Sequence, residues 1–363
     1  MKKIKLGQRV PVITRVSANS GNPGDGFIRW GMQYLLETYL SSEIEWILIS
    51  KFGKKTFMEN KEILRKSKYV IYAGTPQYNN YDDWKLWYDD GMYQLLKRWG
   101  VSMVSIAGGS GVPFPEWTPK QFADYCKGSN LTRQVIGRRR SITKLCTVRD
   151  PHAQQLLKDL KFKSTFLPCT ATWAPHFYKV KKQSNKYIAL TPPSISVLHI
   201  SQTGGKDDND SRVSVLNTYK ELLALCKKHY PKRIPKIVCH HKKEYDLFIK
   251  YLKPEDVFYS NSAKTLLEFY SKCWVVLSGR LHGCLPAYGI PGTKVVSVEI
   301  DTRGSATSIF PKIKRVKFKS IQRNKRKLEG LVKSFKNLRL SSQDDLDRYE
   351  AQYKILLKNT FQV

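Results

Sequence analysis

Apolar runs with strand-like character alternate along most of this chain with segments in which apolar residues recur at helical spacing. In the segment after residue 26, for example, Ile28, Met32 and Leu35 repeat at intervals of four and three. A strand followed by an amphipathic helix and a second strand is typical of βαβ units, which build mainly parallel sheets. The strand-like runs are residues 10–16, 46–50, 68–74, 101–107, 145–150 and 165–168, and then 187–191, 236–240, 257–259, 273–278 and 294–298.

These two series of strands predict two α/β domains with mainly parallel sheets. The chain has 363 residues, of which 41% are hydrophobic, so it is long and apolar enough to bury two cores. A polar, basic stretch at residues 178–186 predicts the boundary between them. We therefore expect a first domain over residues 1–180, a second over 187–325, and C-terminal helices over 326–363.

The chain is strongly basic, with a formal net charge of +33 from 63 basic and 30 acidic residues. Such an excess predicts attraction to anions, namely nucleic acids, anionic membranes, or phosphorylated and carboxylated substrates. The alternative is that lysines simply decorate solvated faces. Nucleic acid is the less favoured partner, because no zinc-finger, RNP or helix-turn-helix signature accompanies the charge. The dense basic run at 312–327 suggests the hypothesis that this part of the chain docks on an anionic membrane surface.

No stretch contains the ~18–20 consecutive apolar residues that a membrane span requires, and no signal-peptide-like run follows the first residues. We therefore expect a cytoplasmic protein, with peripheral membrane contact left open. The seven cysteines are scattered without a C-x-x-C pair, which argues against a disulfide framework and a structural zinc site. Cys239, His240 and His241 form a dense group of potential ligands. Because neighbours on a strand face opposite sides, no metal is expected there.

Glycine-rich or charged turns follow several of the strands, at residues 21–26, 74–76, 108–111, 149–150 and 279–283. In parallel sheets, ligands bind beyond the carboxyl ends of the strands. Two facing sheets would place these turns around one cleft, so Gly74, Gly108 and Gly109 are candidates for substrate binding. At the end of another strand, we expect Arg149 and Asp150 to form an ion pair.

The segment 279–283 reads GRLHG and follows a wholly apolar strand. Arg280 offers a planar, charged fork suited to phosphate or carboxylate, and His282 exchanges a proton near neutral pH. At the start of a helix, backbone N–H groups and the helix dipole add to the attraction for anions. The alternative is that Arg280 pairs with a buried acid and that His282 caps the helix.

Carboxylates near two other strand ends also have two interpretations. Asp25 either binds or deprotonates substrate hydroxyls, or it caps a helix that we expect to begin near residue 27. Gly24 beside it is expected to supply a turn conformation. Asp301 and Glu299 follow the last strand of the second series. One of them orients His282 or binds substrate, unless both are solvated.

These motifs, taken in order, resemble those of the polysaccharide pyruvyl transferases. The C-terminal signature of that family is similar to GRLHG at 279–283, Ala287, GIP at 289–291 and the stretch 295–301. The family's opening G-N-x-G-D loop resembles GNPGD at 21–25, which contains Asn22 and Gly24. The glycine-ended strands and the V-R-D turn resemble IYAG at 71–74, IAGG at 106–109 and VRD at 148–150. In order and spacing, the resemblance extends over about residues 10–301.

The resemblance implies two Rossmann-like domains that face each other across a cleft, as in the GT-B glycosyltransferases. It also implies transfer of pyruvate from phosphoenolpyruvate (PEP) onto two hydroxyls of a saccharide or lipid-linked saccharide, giving a ketal and phosphate. PEP is then a donor substrate, and no cofactor is implied. Matching the family's R-L-H motif assigns Arg280, Leu281 and His282 to the PEP site. On this assignment, Arg280 holds the donor anion and His282 is the general acid and base.

Two positions depart from the family's pattern. The family commonly carries an aspartate after the leucine and proline that stand at 167 and 168 here, and this chain has Cys169 instead. The first strand of the second domain commonly ends in an arginine in the family, whereas this chain reads TPPS at 191–194. Both departures bear on how the donor is bound.

Two other functions remain open on the sequence alone. The same cleft would serve a GT-B-type glycosyltransferase that uses a nucleotide sugar. The basic charge would also suit a nucleic-acid-binding or membrane-binding protein built on a degenerate enzyme fold. Phosphate release from PEP would favour the pyruvyl transferase, whereas binding of a nucleotide diphosphate would favour the glycosyltransferase. Steep salt dependence of binding to nucleic acid or to anionic vesicles would support the second.

Overall fold

The computed structural model describes residues 12–14, 22–40, 48–49, 59–82, 90–111, 116–194, 209–322 and 324–361. Within these ranges the chain forms two separate sheets whose strand pairings are all parallel, which confirms the prediction of mainly parallel sheets. Of the predicted strands 10–16 and 46–50, residues 12–14 and 48–49 are strands, and the rest lie outside the described residues.

The first sheet is built from the N-terminal half of the chain. Its strands run in the order β2-β1-β3-β5-β6-β7, with β4 beside β5. Its centre is apolar, because all five residues of β3 are buried, as expected for a strand with helices on both faces. The strands are β1 (Val12–Thr14), β2 (Leu48–Ile49), β3 (Tyr69–Ala73), β4 (Pro76–Tyr78), β5 (Ser102–Ser110), β6 (Thr143–Val148) and β7 (Thr165–Phe166).

Helices cover this sheet and continue the chain to the second one. They are α1 (Pro23–Tyr39), α2 (Lys61–Lys66), α3 (Asp90–Arg98), α4 (Pro119–Gly128), α5 (Asn130–Ile142), α6 (Pro151–Asp159) and α7 (Ala174–Phe177). A 3-10 turn at Thr170–Trp173 precedes α7 and packs closely on α1. A Cβ at Gly31 of α1 would lie 1.7 Å from the Thr170 carbonyl oxygen, so this contact requires glycine.

The second sheet has the strand order β10-β9-β8-β11-β12-β13. Numbered within this half, that order is 3-2-1-4-5-6, the arrangement of dinucleotide-binding Rossmann domains, which reverses direction between β8 and β11. Its strands are β8 (Tyr187–Thr191), β9 (Ile234–Cys239), β10 (Val257–Tyr259), β11 (Cys273–Ser278), β12 (Lys294–Glu299) and β13 (Lys314–Lys317). Its helices are α8 (Asn209–His229), α9 (Lys242–Ile249), α10 (Ala263–Tyr270), α11 (Leu281–Tyr288), α12 (Phe318–Ile321) and α13 (Lys325–Lys333).

The last helix, α14 (Gln343–Phe361), returns to the first half of the chain. Its buried Glu350 accepts hydrogen bonds from Tyr34 (2.9 Å) and Tyr39 (2.5 Å) of α1 and from the Trp173 indole (3.1 Å). By contrast, α13 packs on α8, where the Tyr230 hydroxyl donates to the Val332 carbonyl. The C-terminal helices therefore do not form one unit. None of the helices in the described ranges is long and apolar enough to cross a membrane.

Candidate active-site cleft

A cleft of about 440 Å³ lies between the two sheets, at the carboxyl ends of their strands. In the first half its walls come from the segments after β1 and β3, the neighbours at which the strand order reverses, and from Arg149 after β6. In the second half they come from the segments after β8 and β11, again at the reversal, from the segment after β9, and from the end of β12 and the residues that follow it. Doubly wound sheets bind their ligands at these switch points. The predicted site residues that line the cleft are Asn22, Gly24, Asp25, Gly74, Arg280, Leu281, His282 and Asp301.

The N-terminus of α1 forms one wall of the cleft. Asn22, not Asp25, is the N-cap: its side-chain oxygen accepts from the Gly24 N–H at 3.1 Å, and Pro23 begins the helix. Residues 23–26 are therefore helical, and our prediction of a loop before residue 27 is wrong, because an Asn-Pro pair already starts the helix. Asp25 lies in the first turn and accepts from the Asn22 amide at 3.3 Å. Gly24 is helical, so it does not supply a turn conformation, contrary to our expectation.

His282 approaches α1 from the opposite wall. It is the second residue of α11, and a Cβ at Gly24 would lie 2.7 Å from its Nδ1. The absence of a side chain at Gly24 therefore makes room for the imidazole. On its other side, Nε2 of His282 is 3.9 Å from the sulfur of Cys169. The alternative in which His282 caps the helix is not observed, because Arg280 occupies the N-cap position.

Arg280 is held by a buried acid. Its Nη2 contacts Oε1 of Glu244, whose residue is 3% exposed. Oε2 of Glu244 accepts backbone N–H groups of His240 (3.2 Å) and His241 (3.3 Å). Burial raises the pKa of Glu244, while the Arg280 guanidinium and the two N–H groups oppose this rise. Arg280 thus lines the cleft, but its charge is already paired with a buried acid. This pairing is the alternative that we gave for Arg280 in the sequence analysis.

Arg149 is a second guanidinium at the cleft, and it is only 1% exposed. Its Nη1 donates to the Gly74 carbonyl and, at 3.6 Å, to the sulfur of Cys169. No carboxylate of the described residues lies within ion-pair distance of it, and its Nε has no hydrogen-bond partner among them. A buried cation without a counter-ion is costly, and sites that retain one are candidates for anion binding.

The predicted ion pair between Arg149 and Asp150 is wrong. Asp150 has extended backbone and is the N-cap of α6, accepting from the Ala153 N–H at 2.9 Å and from the Ser110 N–H at 2.8 Å. The carboxylate of Asp150 is taken up by these two backbone N–H groups and does not pair with Arg149. Arg149 instead lies against Gly74, Gly109 and Cys169.

Gly108 and Gly109 lie inside β5 and not in a turn, and they are not among the residues that line the cleft. Gly109 still shapes the site, because a Cβ there would lie 2.4 Å from Nε of Arg149. Gly74, which lines the cleft, has φ of +58° and accepts the Arg149 hydrogen bond. The glycines at the ends of these strands therefore leave the space that the Arg149 guanidinium occupies.

Two acidic residues at the end of β12 and just after it, Glu299 and Asp301, pair with arginines. Asp301 caps the following 3-10 turn through the Arg303 N–H (2.8 Å), and its carboxylate pairs with the Arg303 guanidinium. Burial disfavours the charge of Arg303, but Asp301 outweighs that effect, so the pKa of Arg303 is raised. Glu299 pairs with Arg315 at 2.6 Å. Both acids therefore pair with arginines here.

His240 and His241 also line the cleft, although the sequence suggested only an ordinary strand end. His240 is buried, and its Nε2 lies 2.9 Å from the Tyr270 hydroxyl. Burial and the nearby Arg280 charge lower the pKa of both imidazoles, that of His241 to about 4. Both rings are therefore neutral at pH 7. No group of three or more potential metal ligands occurs in the part of the chain that the structure describes.

Two parallel sheets that face each other across a cleft, followed by a helix that crosses back, define the GT-B class. Solved structures with this fold include MnaA of S. aureus with UDP (TM-score 0.53, 12% identity, 96% of this chain and 91% of that one). A UDP-GlcNAc 2-epimerase of Methanocaldococcus jannaschii with UDP-GlcNAc and UDP gives a TM-score of 0.51 at 11% identity, over 91% and 93% of the chains. A putative UDP-N-acetylglucosamine 2-epimerase of Listeria monocytogenes gives 0.55 at 9% identity, over 94% and 91%. At such identities the likeness shows the fold alone.

The sequence model of the polysaccharide pyruvyl transferases matches residues 22–289, and the chain therefore belongs to the polysaccharide pyruvyl transferase family. The matched region begins at the N-cap of α1 and ends just after α11, so it includes the cleft residues of both sheets up to that point. No functionally curated protein matches this chain. Family membership makes the chain a transferase of the class that modifies polysaccharides.

Proposed function

We propose that this enzyme transfers pyruvate from PEP onto two hydroxyls of a saccharide and releases inorganic phosphate. The family supports this activity, and the cleft has the volume of an ordinary small-molecule site. The observation that carries the proposal is Arg149, a buried guanidinium beside His282 for which the described residues supply no carboxylate. PEP brings a phosphate and a carboxylate, either of which would neutralise that charge.

The reaction needs one proton donor and an anion site. A general acid protonates the methylene carbon of PEP, and the resulting oxocarbenium-like carbon is attacked by the first saccharide hydroxyl. The carbon–oxygen bond to phosphate then breaks, phosphate leaves with its electron pair, and the second hydroxyl closes the ketal while both hydroxyl protons are released. We assign the proton exchange to His282 and the acceptance of one proton from an acceptor hydroxyl to Asp25, both of which line the cleft.

Replacing Arg149 with methionine is expected to weaken PEP binding about 10- to 100-fold, the loss expected when a hydrogen bond to a charged group is removed. Methionine keeps much of the side-chain volume but not the charge. The measurement is calorimetric titration of PEP into the wild-type and R149M proteins, after circular dichroism has shown both to be folded. R133M, on the exposed face of α5, removes one guanidinium elsewhere and should bind PEP as the wild type does.

Titrations of UDP, inorganic phosphate and pyruvate separate this function from its alternative. We expect PEP to bind more tightly than phosphate or pyruvate alone, because it carries both anionic groups. Tight binding of UDP together with undetectable binding of PEP would contradict the proposal and favour a glycosyltransferase that uses a nucleotide sugar. Equal PEP affinity of R149M and the wild type would remove Arg149 from the donor site.

We also propose that the enzyme contacts an anionic membrane through one basic surface. The stretch 312–340 contains twelve basic residues and one acidic residue. Its strand β13 pairs with β12, whose residues Ser297 and Val298 line the cleft, and the stretch continues along α13 beside α8. Its two aromatic rings, Phe318 and Phe335, are buried, so this surface offers no ring for stacking on bases. The exposed members of the basic surface are Arg315, Lys317, Lys319, Lys325, Arg326, Lys327, Lys333, Lys336 and Arg339.

Charge reversal at the start of α13, in the variant K325E/R326E/K327E, is expected to weaken binding to phosphatidylglycerol vesicles at least about tenfold, since each basic residue contributes about 1 kcal/mol near such a surface. Co-sedimentation at two salt concentrations measures the effect, with phosphatidylcholine vesicles as the neutral comparison. The matched control reverses three exposed lysines of the first half, K158E/K161E/K163E. Equal losses in both variants, or binding to nucleic acid but not to vesicles, would overturn the membrane contact.

A further inference from the structure

Cys169 connects the two groups that the proposed reaction uses. Its sulfur is 3.6 Å from Nη1 of Arg149 and 3.9 Å from Nε2 of His282. Cys169 is fully buried and is not among the residues that line the cleft. It therefore acts on substrate only through its neighbours. The contacts join segments that are far apart in the sequence, and they also join the first half of the chain to the second.

The backbone around Cys169 is fixed on both sides. The carbonyl of Pro168 accepts a hydrogen bond from the Tyr353 hydroxyl of α14 at 2.7 Å. On the other side, the Thr170 hydroxyl donates to the Ile28 carbonyl of α1 at 3.0 Å. Because these anchors come from two different helices, the sulfur cannot shift far without breaking buried hydrogen bonds. Such rigid support is what a residue needs in order to orient another side chain.

The direction of the two hydrogen bonds follows from the chemistry of the partners. A guanidinium has donors and no acceptor, so Arg149 donates and the sulfur accepts. The thiol keeps its own hydrogen, and Nε2 of His282, 3.9 Å from the sulfur, can accept it. With Nε2 as the acceptor, the proton of the neutral ring is carried by Nδ1, the nitrogen that lies on the Gly24 side.

We propose that Cys169 is a positioning residue that fixes the tautomer and the orientation of His282. The thiol holds the lone pair of Nε2 and directs the ring proton to Nδ1. Because a thiol is neutral, it orients the ring without the electrostatic stabilisation of the imidazolium that a carboxylate would add. The expected effect on turnover rests on the proposed function. The tautomer of His282 does not depend on it.

The tautomer is tested directly by nitrogen NMR of the imidazole rings, with the H282Q spectrum used to assign the His282 signals. We expect the wild-type signals of neutral His282 to show a protonated Nδ1 and a bare Nε2. In C169A, which removes the thiol, this preference should decrease towards a mixture of tautomers. C226A, which removes a buried thiol on α8, is the matched control and should leave the signals unchanged. A wild-type ring protonated at Nε2, or signals unaltered in C169A, would overturn the proposal.

Turnover gives a second readout. C169A should lower kcat about three- to tenfold, the effect of losing one neutral hydrogen bond, with KM for PEP unchanged. C169S, which keeps a hydroxyl donor, should recover part of that loss. The other charged and titratable groups around this ring, left unaltered in these variants, are Arg149, Asp25, Arg280, His240, His241, Asp301 and Arg303.

These two measurements distinguish failure of the inference from failure of the proposed function. If the enzyme transfers no pyruvate but the tautomer depends on Cys169, the positioning role stands and the activity is wrong. If pyruvate is transferred and the His282 signals and kcat of C169A match those of the wild type, the positioning role is wrong and the activity stands.

Discussion

Replacing His282 with glutamine is expected to lower the rate of pyruvyl transfer about 10²- to 10⁴-fold, which is the usual contribution of a positioned general acid or base. Glutamine has similar length and can form hydrogen bonds, but it cannot carry a proton to or from the substrate near neutral pH. PEP binding should change only a few-fold, since the anion is assigned to Arg149. A loss confined to kcat would therefore locate His282 in the chemical step.

The rate is measured as phosphate released from PEP in the presence of acceptor, with thermal unfolding as the test of fold. H229Q is the matched control. His229 is at the end of α8, where it contacts Glu329 at 3.0 Å, and it does not line the cleft. Near-wild-type turnover of H282Q would contradict the assignment of proton transfer to this residue.

Removing the carboxylate of Glu244 is expected to destabilise the protein by about 3–5 kcal/mol, because E244A leaves the Arg280 guanidinium buried without its counter-charge. Only 11% of the Arg280 side chain and 4% of that of Glu244 are exposed, so water replaces the lost carboxylate only in part. Nε of Arg280 already has no hydrogen-bond partner among the described residues. The same change also frees the backbone N–H groups of His240 and His241.

Urea unfolding of E244A, R280M and the double variant E244M/R280M measures this effect. Because both charges are then absent, the double variant should be closer to the wild type than E244A is. E268A, which breaks an exposed pair with Lys264 on α10, is the control and should cost less than about 1 kcal/mol. A decrease of less than about 1 kcal/mol in the free energy of unfolding of E244A would contradict this prediction. It would mean that the Glu244–Arg280 pair contributes little to the stability of the protein.

Much of the second sheet was predictable from local pattern. The strands at 257–259 and 273–278 occur at their predicted bounds, because each is a short apolar run closed by polar or glycine residues. The start of α1 was misjudged for a local reason as well. Asn22 followed by Pro23 is a helix-starting pair, and it outweighs the turn tendency of the glycines that follow.

The partners of the site residues were not predictable in the same way. Glu244 and Arg280 are 36 residues apart, and Cys169 and His282 are 113 residues apart. Such contacts depend on how the sheets and helices pack, which periodicity does not encode. The fate of Arg149 was partly readable, since Asp150 followed by Pro151 is a helix-starting pair, and a capping carboxylate is less available for an ion pair. Its burial against Gly109 required the three-dimensional structure.

The transfer of pyruvate from PEP is tested most directly by mass spectrometry of the acceptor. The enzyme is incubated with PEP and a panel of saccharides and lipid-linked saccharides, and phosphate release is measured in parallel. The proposed function predicts one acceptor that gains the mass of pyruvate less water, with one phosphate released per product. Phosphate release without a change in any saccharide, or consumption of a nucleotide sugar in place of PEP, would contradict it.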